Sequence, residues 1–381
     1  MAAPIHILHL HSTFALGGKE ARAVRLMNAF GDRARHTIVS ALPDQLGARD
    51  AIAKGIRYEI AQNPPPLTGK PSVKRYEAIV RYMARFDLVL TYNWGAIDGV
   101  MARRVFVRTN RGLPPVVHHE DGFNEDEAER LNPVRNYYRR FALPAAAALA
   151  VPSHTLEAIA LHTWKQPRER VHRIANGIAT QRFAGKPDPA AIPGFKRKPG
   201  EVVIGTVAGL RPVKNLQMLV GAAAGVVGRV RLVIVGEGSE RQAIADVAEG
   251  MMFDDQVVMP GFLAEPHRYM GLFDIFALSS LSEQAPTALI EAMAAGLPVV
   301  STPVGDVSQM VAPENVPYLC PTFSGVQYRD HLQALVKHPE ARAAVGKANQ
   351  ARARALYEEG EMVAAYARLY GEALGKPGLL T

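Results

Sequence analysis

Two glutamates eight positions apart, Glu283 and Glu291, lie in the stretch Ser279–Gly305, SSLSEQAPTALIEAMAAGLPVVSTPVG. It reads as a loop, a helix and a strand. Pro286 falls where a first helical residue belongs, since a missing N–H costs nothing there and φ is already set. Gly296 stands just past the last helical residue, and Pro298 prevents the helix from resuming. The apolar run Leu297–Val300 suits a buried parallel strand. A loop that delivers the Glu283 carboxylate to a helix start also brings it beside free N–H groups and partial positive charge, which suit a phosphate. Glu291, two turns deeper, can accept hydrogen bonds from a sugar's hydroxyl pair.

Other residues able to do chemistry follow strands. The run Ile5–Leu10 leads to Gly17-Gly18, which opens a helix carrying Ala23, Leu26, Met27 and Phe30 at helical spacing. Paired glycines at such a turn let a ligand approach the backbone. Asn93 and Trp94 follow the strand Leu88–Tyr92, at the carboxyl end where open α/β sheets bind ligands, and are expected on an acceptor side. His118 and His119 end a strand containing Val116 and Val117, with Glu120 and Asp121 next. The acidic run Glu125–Glu129 favours a helix N-terminus. Arg135, Arg139 and Arg140 interleave with Tyr137, Tyr138 and Phe141, a basic–aromatic helix face suited to an anionic acceptor or an anionic membrane surface.

The elements that must position these residues alternate between strand and helix. Before the histidines come a strand at 36–42, a helix near 45–54, a strand at 56–61, a Pro-rich loop over Gln62–Pro71 and a helix at 73–85. A buried strand, AALAVPS, and a helix from about residue 155 follow. Residues Ala184–Gly200 have the Pro, Gly and Lys content of a linker. A second αβ series then runs through EVVIGTVAGL, a helix from Asn215, a strand at 230–236, a helix from about 239, QVVMPGF and FDIFALSS. Two helices, at 338–357 and 361–374, close the chain.

At 381 residues the chain is long enough for about two domains, and 48% hydrophobic with 21% charged residues is a globular composition. No apolar run reaches the roughly 18 residues of a membrane helix. The N-terminus lacks the basic start of a signal peptide, and Cys320 is alone, which rules out a disulfide framework. These features predict a cytoplasmic protein. Of the net charge of +8, residues 1–182 hold 26 basic against 16 acidic side chains and residues 183–381 hold 18 against 20. The first half is therefore expected to meet an anionic partner such as a glycan, a lipid-linked phosphate or a membrane surface. Nucleic acid is not expected, because the arginines are scattered and no nucleic-acid motif is present.

The pattern Ser-Glu-(x7)-Glu-Ala-Met-Ala-x-Gly-x-Pro-Val-Val resembles the donor-site signature of the retaining GT-B glycosyltransferases of family GT4. Gly17-Gly18-x-Glu and the segment HRIANGIATQRF resemble the same family more loosely. The resemblance implies two Rossmann-like αβα domains facing a cleft. Residues 1–183 would bind the acceptor, residues 184–360 the nucleotide sugar, and residues 361–381 would form a helix crossing back to the first domain. It implies sugar transfer from a UDP- or GDP-type donor to a glycan or lipid-linked acceptor, with retention. Donor contacts are implied at Gly17, Gly18, Gly261, Phe262, Glu283, Ala285, Pro286, Thr287 and Glu291, with Glu291 on the ribose and Glu283 on the sugar. His118 or His119 would reach the transferred sugar, while Arg135 and Arg139 join Asn93 and Trp94 on the acceptor side.

A nucleotide sugar leaves as a diphosphate, whose developing charge must be met by cations, N–H groups or a metal. No acidic metal constellation is present in the sequence, so no metal or other cofactor is expected, and the turn GTVAGLRPVKN offers Lys214 and Arg211 instead. The family carries an arginine five residues before this lysine, where the chain has Gly209. Arg211 is expected to compensate. That departure leaves open a GT-B protein that binds nucleotide sugar with weak or no transfer; a nucleotide-sugar epimerase is a further alternative. A dehydrogenase is disfavoured, because Arg241 replaces the third glycine of the Gly236-x-Gly238 fingerprint.

Overall fold

A computed structural model describes residues 4–108, 112–123, 125–127 and 130–381. They divide into two compact units, Met1–Asn176 with Gly360–Thr381, and Gly177–Glu359. The first boundary falls seven residues before the expected one because the second unit holds the connecting chain. Ile178 N–H donates to Tyr357 O at 2.9 Å and Glu359 N–H donates to Ile178 O at 2.9 Å. The Pro-rich segment Ala184–Gly200 is irregular but attached, with Ile192 and Phe195 buried and Asp188 N–H bonded to Arg268 O at 2.7 Å.

The first unit contains a seven-stranded parallel sheet. Its strands are β1 (Ile5–His11), β2 (Ala34–Ser40), β3 (Tyr58–Ile60), β4 (Leu88–Tyr92), β5 (Val116–His119), β6 (Ala148–Val151) and β7 (Val171–Arg173). Their spatial order is β3-β2-β1-β4-β5-β6-β7. Strands buried on both faces read as near-continuous apolar runs, and β4, LVLTY, is buried throughout. Helix α1 (Gly18–Phe30) covers one face of the sheet. Helices α2 (Val73–Met83), α3 (Ile97–Phe106) and α4 (Pro133–Ala142) are associated with the other. Helix α5 (His154–His162) precedes β7.

Two local expectations change. The helix near 45–54 is only a 3-10 turn, Gly47–Ala51. Its backbone is bonded elsewhere: Ala48 N–H goes to Phe14 O, and the Asn28 side chain clasps Ala51 O and Ala53 N–H. The acidic run does not start a helix. Glu125–Glu127 is a 3-10 turn, Ala128 and Glu129 lie outside the described residues, and α4 begins at Pro133. Its cap is Asn132, whose side chain accepts from Val134 N–H at 2.9 Å.

The second unit has a five-stranded parallel sheet of β8 (Val202–Val207), β9 (Val230–Val235), β10 (Val257–Gly261), β11 (Ile275–Leu278) and β12 (Val299–Ser301), ordered β10-β9-β8-β11-β12. Around it lie α6 (Leu216–Ala224), α7 (Arg241–Gly250), α8 (Thr287–Ala294), α9 (Val307–Met310), α10 (Gly325–Lys337) and α11 (Pro339–Leu356). α10 has no counterpart among the expected elements. α8 begins one residue later than expected, with Pro286 as its extended cap. Its end follows the glycine rule: Gly296 takes φ 79°, Leu297 N–H donates to Ala292 O at 3.0 Å and Gly296 N–H to Met293 O at 2.9 Å. The last helix, α12 (Glu359–Ala373), returns to the first unit, where Tyr366 and Tyr370 join the core with Phe30.

Candidate functional site

Both sheets reverse strand order beside their first strand, and a reversal of this kind opens a crevice at the carboxyl ends of the strands. In the second unit the reversal lies between β8 and β11, and the turns leaving these strands are tied together. Leu281 N–H donates to Val213 O at 2.8 Å and Ser279 Oγ–H to Lys214 O at 2.8 Å. The Lys214 ammonium meets Glu283 Oε1 at 2.5 Å, and Ser280 Oγ–H donates to the same oxygen at 2.7 Å. Both contacts fall on Oε1, which leaves Oε2 to accept from an incoming hydroxyl.

The Glu283 loop is fixed from behind. Thr302 Oγ1–H donates to Ser280 O at 2.6 Å, and Asp306 N–H to Gln284 O at 3.0 Å. Gly305 permits this closeness: its φ is +48°, and a Cβ there would lie 2.5 Å from the carbonyl oxygens of Glu283 and Gln284. Ala285, Pro286 and Thr287 carry the chain from this loop into α8. Glu291, within α8, is buried. Burial first and the Glu291 charge second push the Tyr269 phenol upward, and the phenol donates to Leu263 O at 3.4 Å.

Arg211 is exposed beside this cluster, with its Nε 3.7 Å from where a Gly209 Cβ would stand. Its guanidinium thus lies in contact range of a side chain at 209. Gly236 N–H donates to Gly261 O at 2.9 Å, which brings the end of β10 to the turn after β9, and Phe262 stands exposed beyond it. Arg241 closes this turn, donating to Met259 O at 2.7 Å.

In the first unit the pleat sends His118 and His119 to opposite faces of the sheet, and both are wholly buried. His119 Nδ1–H donates to Thr91 O at 3.2 Å, so Nε2 carries the lone pair that accepts from the Tyr370 hydroxyl at 2.8 Å. Burial, then the Arg22 charge, pushes His119 down to about 3. His118 Nδ1 bonds Thr91 Oγ1 at 2.7 Å, and its Nε2 lies 3.6 Å from Glu120 Oε2. Asn93 adopts φ +54°. Its N–H donates to His119 O and its Oδ1 accepts from Asp121 N–H, both at 2.7 Å. Asp121 in turn pairs with Arg22, donor and acceptor meeting at 2.8 Å through Nη2 and Oδ2. Burial opposes the Asp121 charge, but the Arg22 guanidinium outweighs it and holds the carboxyl below its usual range.

Gly17 and Gly18 form the start of α1, where Gly17 is extended. Arg135 is ion-paired with Asp126 and Glu127 at 2.6 and 2.9 Å. Arg139 is fully buried, donating to Glu120 at 3.1 Å and Glu127 at 3.3 Å. Its guanidinium is enclosed by the rings of Trp94, Phe123 and Trp164, at 5.0 to 5.3 Å. Residues that the sequence reading did not single out carry much of this framework: Ser280, Thr302 and Gly305 in the second unit, and Arg22, His9, His11 and His36 in the first. The alternation HILHLH in β1 was the available signal for the last group.

Residues 190–352 match the family described as glycosyl transferases group 1, and residues 4–182 match glycosyltransferase family 4. The chain belongs to the family 4 glycosyltransferases, with the GT-B fold. It is 23% identical to an N-acetyl-α-D-glucosaminyl L-malate synthase of Bacillus anthracis over 64% of each chain. It is 31% identical to a GDP-mannose-dependent α-mannosyltransferase of Mycobacterium tuberculosis, over 49% of this chain and 46% of that one. The chain thus aligns with less than two thirds of these relatives' own lengths. Its fold is similar to that of Anabaena HepE solved with UDP and glucose, with a TM-score of 0.78 at 17% identity, over 97% of this chain and 100% of that one. No helix among the described residues is long and apolar enough to cross a membrane.

Proposed function

We propose that the protein transfers a sugar from a nucleoside-diphosphate donor to a glycan or lipid-linked acceptor, with retention and without a metal. The observation that carries this reading is the Lys214–Glu283–Ser280 cluster at the strand reversal of the second unit. An ammonium has three donors, so Lys214 can keep Glu283 and still meet a diphosphate oxygen. Arg211 supplies the second cation, beside Gly209. Glu283 Oε2 takes a sugar hydroxyl, Glu291 takes the ribose, and the Ala285–Thr287 entry to α8 offers backbone N–H groups to phosphate. Gly261 and Phe262 border the base. Gly17 and Gly18 offer the same kind of anion contact at α1.

UDP and GDP are the donor nucleotides favoured, since HepE was solved with UDP and the M. tuberculosis relative is GDP-mannose-dependent. Asn93 and Trp94 stand on the acceptor side. His119, Arg135 and Arg139 act there as positioning residues, because their polar atoms are engaged with protein groups, whereas His118 Nε2 has no hydrogen-bond partner among the described residues. A cytoplasmic site of action fits the lone, buried Cys320. The test is thermal stabilisation by UDP, GDP and ADP followed by turnover with the matching sugar nucleotides. Lys214→Ala and Arg211→Ala are each expected to lower kcat by about 100-fold or more. Full turnover in Arg211→Ala would remove it from the site. Nucleotide binding without any transfer would instead favour the donor-binding reading that Gly209 raises.

A further inference from the structure

The turn that follows the carboxyl end of β8 carries Lys214 and Arg211, and a separate cavity of about 470 Å³ lies where β8 begins. That volume falls within the range of small-molecule sites. The six residues of β8, about 20 Å of strand, keep it apart from the donor crevice. Its rim is the turn Lys198-Pro199-Gly200-Glu201. Glu201 N–H donates to Lys198 O at 3.2 Å, Pro199 fixes its own φ, and Gly200 takes φ +72°, as the third position of such a turn requires. The rim is therefore set before any ligand arrives. Pro199 and Val202 give the lining apolar surface, and Arg342 of α11 completes it.

The carboxylates around this cavity are already engaged. Glu201 accepts from Arg231 Nε–H at 2.9 Å and, through its other oxygen, from Lys198 N–H at 3.1 Å. Asp274 accepts from Val203 N–H at 2.7 Å and from Arg197 at 2.5 Å. Glu340 is bonded to His338 at 3.0 Å. Two cations are left over. The exposed Lys198 ammonium has no hydrogen bond or ion pair among the described residues. Arg342 gives Nη1 to the carbonyls of Leu335 and Val336 at 2.6 and 3.0 Å, while its Nε and Nη2 form no hydrogen bond among the described residues. Residues 183–381 hold 18 basic against 20 acidic side chains, so this surplus of positive charge is local.

We propose that this cavity binds a small organic phosphate, a phosphate monoester of sugar size, at a site separate from the donor crevice. The free edge of a guanidinium and an ammonium together supply two positive charges and the donor geometry that phosphate oxygens accept. A monoester carries close to two negative charges at neutral pH and matches them, whereas a lone carboxylate would leave one cation unmatched. Inorganic phosphate would fill only a small part of the cavity. A sugar ring attached to it would lie against Pro199 and Val202, covering apolar surface that the bare ion leaves wet.

The full chain would be titrated calorimetrically with α-D-glucose 1-phosphate, with UDP and GDP present in excess to occupy the proposed donor site. One molecule per chain is expected to bind, more weakly in high salt. Lys198→Gln is expected to weaken binding by about tenfold or more, and Lys198→Glu to abolish it. Both variants should melt as the unaltered protein does, because the Lys198 ammonium holds no protein group. Arg342→Lys, which keeps the charge and loses the fork, should weaken binding as well. Absence of saturable binding, or full affinity in Lys198→Glu, would overturn the proposal. So would equal affinity for unphosphorylated glucose or for inorganic phosphate, since the cavity would then read only half of the ligand. None of these readouts requires turnover, and failure of UDP and GDP to bind would count against the transfer reading alone, because the Lys198 variants report on this cavity.

Discussion

Acidification from pH 7.5 to 5 should destabilise the first unit through four buried histidines. His9 and His11 of β1 share one sheet face with His36 of β2, Tyr92 of β4, His119 of β5 and Tyr370 of α12. His9 Nε2 and His36 Nδ1 stand 3.0 Å apart and share a single proton, so a second one would set two donors against each other. Neither ring nitrogen of His11 has a protein partner among the described residues, and its ring stacks on Tyr92 at 4.1 Å. Burial is the main cause that lowers all four. It takes His36 down to about 4, with help from His6, and His119 to about 3, with help from Arg22, while His9 and His11 fall well below the ordinary value. Lys19 and Arg22 also face the cluster, and Asp121, whose charge favours protonation of His119, is paired with Arg22. Because the folded values lie below the unfolded value of 6.5, the unfolded chain binds more protons as the pH drops. Stability is therefore complete above about pH 6.5 and is lost below it. At pH 5, His36 and His119 each cost about 2 kcal/mol, or about 4 kcal/mol together, and His9 and His11 add in the same direction. That is a large share of a domain's usual 5–15 kcal/mol, roughly. Calorimetry at pH 7.5, 6 and 5 should show Tm falling by about 10 °C, with amide exchange in α12 rising first, since Tyr370 binds His119. His36→Gln, which keeps hydrogen-bonding capacity without a basic nitrogen, should recover about 2 kcal/mol of the loss. A Tm that stays level between pH 7.5 and 5 would refute the reasoning.

Arg139→Met should destabilise the protein by about 3–5 kcal/mol in urea denaturation, because Glu120 is left buried without its cation and Glu127 keeps only Arg135. Adding Glu120→Gln and Glu127→Gln should restore most of that loss; if the triple variant is no better, the charge argument fails. Arg135→Ala, by contrast, should cost less, its pair with Asp126 being more open to water and Glu127 keeping Arg139. Gly305→Ala should cost about 1–3 kcal/mol, through its positive φ and the backbone it would strike. It should also reduce thermal stabilisation by UDP or GDP, and unchanged stabilisation would show that the Glu283 loop is not held in this way.

The loop, helix and strand that carry Glu283 and Glu291 were legible because their parts are local. Proline, glycine and a short apolar run mark a helix and a strand within 27 residues, and the two glutamates are carried by that frame. Lys214 was legible as the cation of a βα turn. Its contact with Glu283 was not, since it spans 69 positions and depends on β8 and β11 being neighbours. The inward packing of Arg135 and Arg139 was not legible for a related reason. An amphipathic reading assumes that charges face water, and nothing in PVRNYYRRFA announces that Glu120 and Glu127 wait on the inner side. The histidines of β1 were visible as an alternation, but only pairing with β2 and β4 shows that they meet one another. The helix near 45–54 failed because side chains outside it, above all Asn28, claim its backbone.

These contacts give the Lys214–Glu283–Ser280 cluster a division of labour. A lysine buried alone would shed its proton or resist burial. The Glu283 carboxylate aims Lys214 in the absence of ligand, and Ser280 aims the carboxylate in turn. Arg211 has no such keeper and lies open at the turn, so it is free to move toward a second phosphate oxygen. At Gly209 a Cβ would stand 3.7 Å from the Arg211 Nε, in ordinary contact, so the two positions are neighbours at this turn. An arginine placed at 209 beside Arg211 would set two cations against each other at one turn, so the pair should be less favourable than either arginine alone.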